Sequence, residues 1–475
     1  MDTKKIKSLL SGTLIRGGMW LTFSTVVSQI ISFVASAVFF RLLSVGDNGI
    51  IAYYTKMVTV FTTVLTLGLT ACIQRGKTEY EENYEGFLSS ILVLATSVIL
   101  VFGVLFYGFK SEISSLISIN EDLVMLLVIH CFFLFVFQCS TIKYATTYQY
   151  RKYFSINMTY NIAAILLSVG FILLFRKLNP TSEIMGAYGR IYGMAFAPII
   201  YGLVFYIRQL RRGKVYINRE WWKFALIISI PLILHSLSST VMNYFDTIVI
   251  KKVFTEVEVG LYEVPYKLGM LINTFWVAIN KAWVPWFFDK MKAERYKEID
   301  GAMRNYLAMF TYVFFGFIMV SPELGYLQAG AQYADSFILI PIVGLSYYFL
   351  FLYSLPSNIE FYEKKTILIT IGTIISAVLN ILLNLWLIPI YGYKMAAITT
   401  LISYMVQFIY HFVVIKVWFN YEFINIKTFG FYILISFAAT GYFYLTSWSI
   451  IIRYASILIV TVLIGLKFKN KLKSI

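Results

Sequence analysis

The chain has 475 residues, of which 59% are apolar, 18% aromatic and only 13% charged. Soluble domains average about 25% charged residues, so the composition excludes a soluble globular fold and points to a polytopic membrane protein. The net charge of +16 would suit a nucleic-acid partner, but the basic residues lie between apolar runs rather than on one face of a domain, which excludes that class.

Taken in chain order, fourteen apolar runs come near the ~20 residues that a bilayer-crossing helix needs. They cover 17–40, 50–73, 87–109, 122–142, 154–175, 188–207, 222–248, 260–281, 304–322, 334–356, 366–388, 394–417, 429–447 and 452–467. The last is short. The first is too long for a cleavable leader and lacks a small-residue cleavage site. Cys72, Cys131 and Cys139 fall within or at the ends of runs and read as reduced packing residues.

Arginine and lysine set the orientation. With the N-terminus in the cytoplasm, 29 of the 40 basic residues fall on the cytoplasmic side, densest at 208–223 and 281–304. Nine fall outside: Arg41, Lys110, Arg176, Lys177, Arg190, Lys251, Lys252, Lys394 and Arg453. Both termini are therefore expected in the cytoplasm. Trp221 and Trp222 beside the 208–223 segment fit an interfacial belt on that face.

The remaining two cations, Lys56 and Lys267, lie about two helical turns inside apolar runs. The runs resemble each other: Gly49-Ile-Ile-Ala-Tyr-Tyr-Thr-Lys56 pairs with Gly260-Leu-Tyr-Glu-Val-Pro-Tyr-Lys267 at an offset of 211 residues, and Arg41 pairs with Lys252. The centres of runs one to six, moved by 211, all fall inside runs seven to twelve. The expected fold is an all-α integral membrane protein of about fourteen helices. Two six-helix lobes, related by a parallel pseudo-two-fold axis, would be followed by two C-terminal helices. The expected division is an N-terminal lobe 1–207, a basic inter-lobe linker 208–221, a C-terminal lobe 222–418, and the last two spans with a basic tail at 419–475.

No enzyme is expected, because every loop is too short to form a catalytic domain. Gly76-Lys77-Thr78 looks like the end of a phosphate loop, yet Ala71 stands where its first glycine belongs and Glu79, Glu81 and Glu82 would repel phosphate. His130, His235 and His411 have no metal-ligand spacing, so no metal is expected.

Charges inside a membrane usually mark a pathway or a binding cavity. Lys56 reads in two ways. It can snorkel the roughly 10 Å to the headgroups, or it can face a wet central cavity and meet an anionic headgroup. Its repeat-mate Lys267 favours the second. Glu263 precedes Lys267 by four residues, the favourable order for a helical ion pair, so that lysine is either structurally neutralised or part of a switch that opens on substrate or proton binding. Lys56 is then expected to be the freer anion contact. Asp246 and Lys281 are candidates for coupling or gating, and Arg16, at the start of the first run, for the inner mouth of the cavity. Tyr53 and Tyr266 flank the lysines and suit sugar stacking, although aromatics are common throughout. Asn380, Asn384 and other polar residues within runs read as interhelical hydrogen bonds.

Six plus six plus two spans resemble the bacterial polysaccharide flippases, O-antigen or capsule type, of the multidrug/oligosaccharidyl-lipid/polysaccharide exporter superfamily. The resemblance rests on Arg41-Leu-Leu-Ser-Val-Gly-Asp-Asn-Gly49, Asp246-Thr-Ile-Val-Ile-Lys251 and Val259-Gly-Leu-Tyr-Glu-Val-Pro-Tyr-Lys267. It implies translocation of an undecaprenyl-diphosphate-linked oligosaccharide across the bacterial cytoplasmic membrane by alternating access between two lobes. It also implies a cationic central cavity, which Lys56 and Lys267 match by position and charge and Arg16 less closely. Polysaccharide polymerase and chain-length proteins are the implied protein partners. No cofactor is expected, and without an ATP site transport is either facilitated or coupled to H+ or Na+. A drug or cation antiporter of the same superfamily would favour carboxylates in the cavity. A peptidoglycan-precursor flippase shares the topology. A membrane-embedded polymerase or ligase would need a large outer loop, which this chain lacks.

Overall fold

The computed structural model describes residues 3–182, 184–421 and 423–473. The side chains of 3–19, of 21, 22 and 26, of eight residues between 234 and 243, and of 467–473 lie outside that description. Every regular element among the described residues is helical, as composition requires. They run α1 (Thr3–Leu42), α2 (Val45–Leu65), α3 (Thr70–Glu79), α4 (Tyr84–Gly108), α5 (Lys110–Ile117), α6 (Glu121–Thr146), α7 (Tyr150–Leu178), α8 (Met185–Gly213) and α9 (Arg219–Val253). Then follow α10 (Glu256–Lys292), α11 (Tyr296–Met319), α12 (Ser321–Ala329), α13 (Ile340–Tyr362), α14 (Thr366–Tyr391), α15 (Met395–Val414), α16 (Ile426–Thr446) and α17 (Ile450–Lys473).

Among the described residues, nine helices are long and apolar enough to cross a membrane, or eleven if two bent pairs each count as one span. The expected fourteen runs are thus met in kind, with the number reached lower. α10 has the length, 37 residues, but Glu263, Lys267 and Lys281 interrupt its apolar run. The apolar part of α17, Ile450–Leu466, is short. The bent pairs are α2 with α3, at 46°, and α11 with α12, at 57°. The first bend has a local cause. Leu67 and Gly68 both take positive φ, which ends α2 inside what the sequence reads as one run.

The chain forms two compact units, Met1–Gly260 and Leu261–Ile475. In the first, α8 packs on α7, α6 and α4. Glycines set the spacing of α7 and α8: a Cβ on Gly189 would stand 2.6 Å from Ile172 Cα, and one on Gly193 would stand 2.4 Å from Ser168 Cα. Without a hydrophobic drive between helices in lipid, such close backbone approach is the main source of cohesion. α9 packs on α2, α3 and α4, where Tyr80, Phe87, Trp221 and Phe224 form an aromatic cluster. Residues 208–221, expected as a linker, consist of the last turn of α8, a short connection and the first turn of α9.

In the second unit, α13 packs on α15 and α11. α14 meets α15 through a polar chain: Asn384 Nδ2 donates to Asn380 Oδ1 at 2.9 Å, and the Thr399 hydroxyl donates to Asn384 Oδ1. The Thr399–Asn384 bond is of the interhelical kind expected of polar residues inside spans, whereas the Asn384–Asn380 bond lies within α14. α17 is tied to α12 by Arg453, which donates to Glu323 at 2.5 and 2.8 Å and to the Met319 carbonyl.

Candidate functional site

The repeated segments begin with the same local chemistry. Ser44 caps α2: its hydroxyl accepts from Asp47 N at 3.0 Å and its N–H donates to Asp47 Oδ2 at 3.3 Å. This is a reciprocal capping box. At the 211 offset, Thr255 and Glu258 flank the start of α10, where Thr255 N and Oγ1 donate to Glu258 Oε2 at 3.0 and 2.6 Å. Gly49 and Gly260 are each the fifth residue of their helix. A Cβ on Gly49 would stand 1.8 Å from the Glu256 carbonyl oxygen, and one on Gly260 would stand 2.1 Å from the Val45 carbonyl oxygen. Each glycine thus packs on the first residue of the other helix, and the two first residues are themselves 211 apart. The contact has the reciprocity of a two-fold-related pair.

Two turns below Gly49, Lys56 is 6% exposed. Its Nζ donates to Thr247 Oγ1 at 2.7 Å and lies 5.8 Å from the centre of the Tyr244 ring. Thr247 in turn donates to Asp246 Oδ1, from its N–H at 2.6 Å and its hydroxyl at 3.3 Å. Lys56, Thr247 and Asp246 are all buried, so α2 and α9 share an ammonium–hydroxyl–carboxylate chain. The sequence gives Lys56 and Asp246 as separate candidates, and the fold joins them through Thr247. Burying an ion is costly unless it is paired and hydrogen-bonded, and this chain supplies both conditions.

In the second unit, Lys267 Nζ lies 3.3 Å from Glu263 Oε1, with the lysine side chain 38% exposed and the glutamate 9%. The i, i+4 pair expected from spacing is therefore formed. Lys56 is the more enclosed of the two lysines, and Lys267 the more accessible. Tyr53 is buried, and its hydroxyl donates to the Ile117 carbonyl at 2.8 Å, so it anchors α5. Tyr266 is buried among Tyr262 and Tyr347. Lys281 is exposed. The side chains of Arg16 and His235 lie outside the described residues.

Two buried charged groupings are not marked in the sequence. His411 Nδ1 is 2.9 Å from both carboxylate oxygens of Glu360, with neither side chain exposed. Lys143 Nζ donates to Glu85 Oε2 at 2.7 Å and to Gln209 Oε1 at 2.8 Å. Both join residues at least 50 positions apart in the chain, which no periodicity predicts. Among the described residues, no group of three or more His, Cys, Asp or Glu side chains could hold a metal.

The family model described as "Polysaccharide biosynthesis protein" matches residues 14–291, which include both lysines and Asp246. An uncharacterized membrane protein of Haemophilus influenzae is 26% identical over 203 residues, 40% of this chain and 48% of its own length. The Lsg locus putative protein 1 of the same species is 32% identical over 72 residues, 15% of this chain and 18% of its own. The chain spans about half the length of the first of these curated relatives and less of the second. In fold it is similar to the lipid II flippase MurJ in an inward closed conformation, with a TM-score of 0.72 at 18% identity over 95% of this chain and 99% of the other. It is also similar to a transporter of the MOP superfamily from Pyrococcus furiosus, with a TM-score of 0.55 at 16% identity over 85% and 95%. With more than half of its residues matched, the chain belongs to the polysaccharide biosynthesis protein family, and its helical fold is similar to those of the two solved proteins.

Proposed function

We propose that the protein is a flippase that carries an undecaprenyl-diphosphate-linked oligosaccharide from the cytoplasmic to the outer leaflet of a bacterial cytoplasmic membrane for surface polysaccharide synthesis. Both termini face the cytoplasm in this reading, and access to the substrate alternates between the two sides. The observation that carries it is Lys56, a buried cation on a repeated helix start within the residues that the family model matches.

The physics suits such a cargo. A diphosphate and its sugars cannot cross hydrocarbon unaided, whereas the polyprenyl tail can remain in it. A fixed ammonium in a water-poor site compensates the lost hydration of the diphosphate far better than it would in bulk water. Asp246, one hydroxyl away, would hold Lys56 in place until the anion arrives. Lys267, the more exposed lysine, would make the earlier contact, with Glu263 as its exchangeable partner. Coupling to H+ or Na+ and the company of polymerase and chain-length proteins belong to the same proposal.

The test is translocation in proteoliposomes, scored by lectin access to a polyprenyl-diphosphate oligosaccharide. Wild-type protein should expose the sugar on the far side, and the Lys56→Ala/Lys267→Ala pair, at equal folded amount, should lose at least tenfold in rate. Unchanged translocation by the double variant would sink the role given to these lysines. Transport of lipid II in place of the oligosaccharide would move the substrate to peptidoglycan precursors.

A further inference from the structure

A second cationic site lies at the other end of the first unit. Between α6, α7 and α8 is a cavity of about 490 Å³, within the roughly 300–1,000 Å³ typical of small-molecule sites. Lys143, Lys152, Arg208 and Arg212 line it, and no carboxylate does. Lys143 is 3% exposed and donates to Glu85 and Gln209, which leaves the third donor of its ammonium. Gln209 Nε2 donates to the carbonyl and Oε2 of Glu85 at 2.9 and 2.8 Å, so hydrogen bonds cross-link the floor of the cavity. Lys152 donates to Gln149 Oε1 at 2.8 Å. Arg208 and Arg212 are exposed, four residues apart on one face of α8, and make no hydrogen bond or ion pair among the described residues. With Glu85 set against Lys143, three positive charges remain.

The wall continues along α8 as an apolar strip. Ile200 and Val204, both lining the cavity, are 47% and 46% exposed on a membrane-crossing helix. A charged end and an apolar strip on one helix match the two parts of a lipid, whereas a soluble anion would use only the first. Basic hollows between spans on the cytoplasmic side are where anionic headgroups bind. The inference rests on the orientation proposed above, which puts Arg208 and Arg212 at the cytoplasmic leaflet.

We infer that this cavity is a site for an anionic phospholipid, with the phosphodiester between Lys143, Lys152, Arg208 and Arg212 and one acyl chain along Ile200 and Val204. It is separate from the Lys56 cluster and takes a structural lipid rather than the cargo.

The test is native mass spectrometry of the full chain in a non-ionic detergent with phosphatidylglycerol, phosphatidylcholine of the same chains, and inorganic phosphate. Wild-type protein should retain phosphatidylglycerol in preference to phosphatidylcholine, and millimolar phosphate should not displace it. Arg208→Gln/Arg212→Gln, which removes two exposed side chains, should weaken phosphatidylglycerol binding on the order of tenfold. The charge-matched control Lys292→Gln/Lys297→Gln, exposed in the other unit, should leave it within twofold. Equal retention by the first variant and the wild type, equal loss in the control, or displacement of the lipid by inorganic phosphate would each overturn the assignment. Should the arginine pair fail to fold, Lys152→Gln carries the same expectation at a smaller loss, and unchanged binding there also overturns it.

Discussion

Lys56 and Lys267 share a sequence pattern but not an environment. Lys56 is enclosed and bonded to Thr247, beside Asp246, whereas Lys267 keeps 38% of its side chain exposed. Removing one member of a buried charged chain strands the other, at a cost of about 3–5 kcal/mol. Lys56→Met should therefore lower stability by several kcal/mol in a thermal unfolding assay, and adding Asp246→Asn should recover part of the loss. Strict additivity of the two would deny the coupling through Thr247. Lys267→Met should cost less than Lys56→Met, since Lys267 is the more exposed lysine, but it takes an ion-pair partner from the buried Glu263 and so should still lower the unfolding midpoint. Both lysines and Asp246 can be picked out of the sequence because charges are rare in apolar runs. Their grouping cannot, because Thr247 looks like any membrane threonine until α9 is placed against α2. The same holds for Lys143, which reads as a loop cation and turns out to be the buried end of α6.

The elements follow the apolar runs closely where the runs are uncharged, as in α4, α6 and α14. They depart where backbone geometry intervenes. The run at 50–73 splits into α2 and α3 because Leu67 and Gly68 turn left-handed. The capping pairs Ser44/Asp47 and Thr255/Glu258 were open to a reader of the sequence, since a hydroxyl followed three residues later by a carboxylate is a helix start. Glycines separate two roles that sequence alone merges. Gly49→Ala forces a methyl group onto the Glu256 carbonyl, and should destabilise by about 1–3 kcal/mol or more. Gly103 has nothing within 4 Å of a built Cβ, so Gly103→Ala should be neutral or slightly stabilising. Equal unfolding midpoints for the two variants would contradict the close approach at the α2 and α10 starts.

For the whole molecule, the orientation can be read by labelling. Cys72, Cys131 and Cys139 are buried, so the native protein should resist a membrane-impermeant maleimide. Tyr216→Cys, at an exposed position after α8, should react only from the cytoplasmic side, and Thr181→Cys, exposed before α8, only from outside. The reverse pattern would invert the proposed direction of transport. The membrane class, the helical fold and the exporter-type resemblance are all legible in composition and span order. The end of the first compact unit at Gly260, inside α10, carries no mark in composition or charge.

The reciprocal seat of Gly49 on Glu256 and of Gly260 on Val45 also bears on ancestry. A patch that meets its own duplicate is what an isologous homodimer uses. A single-copy ancestor with this glycine would have met a second subunit through that same pair of helix starts. In such a history, fusion of two gene copies would make the contact permanent and leave the halves free to diverge elsewhere, with one lysine buried and the other accessible.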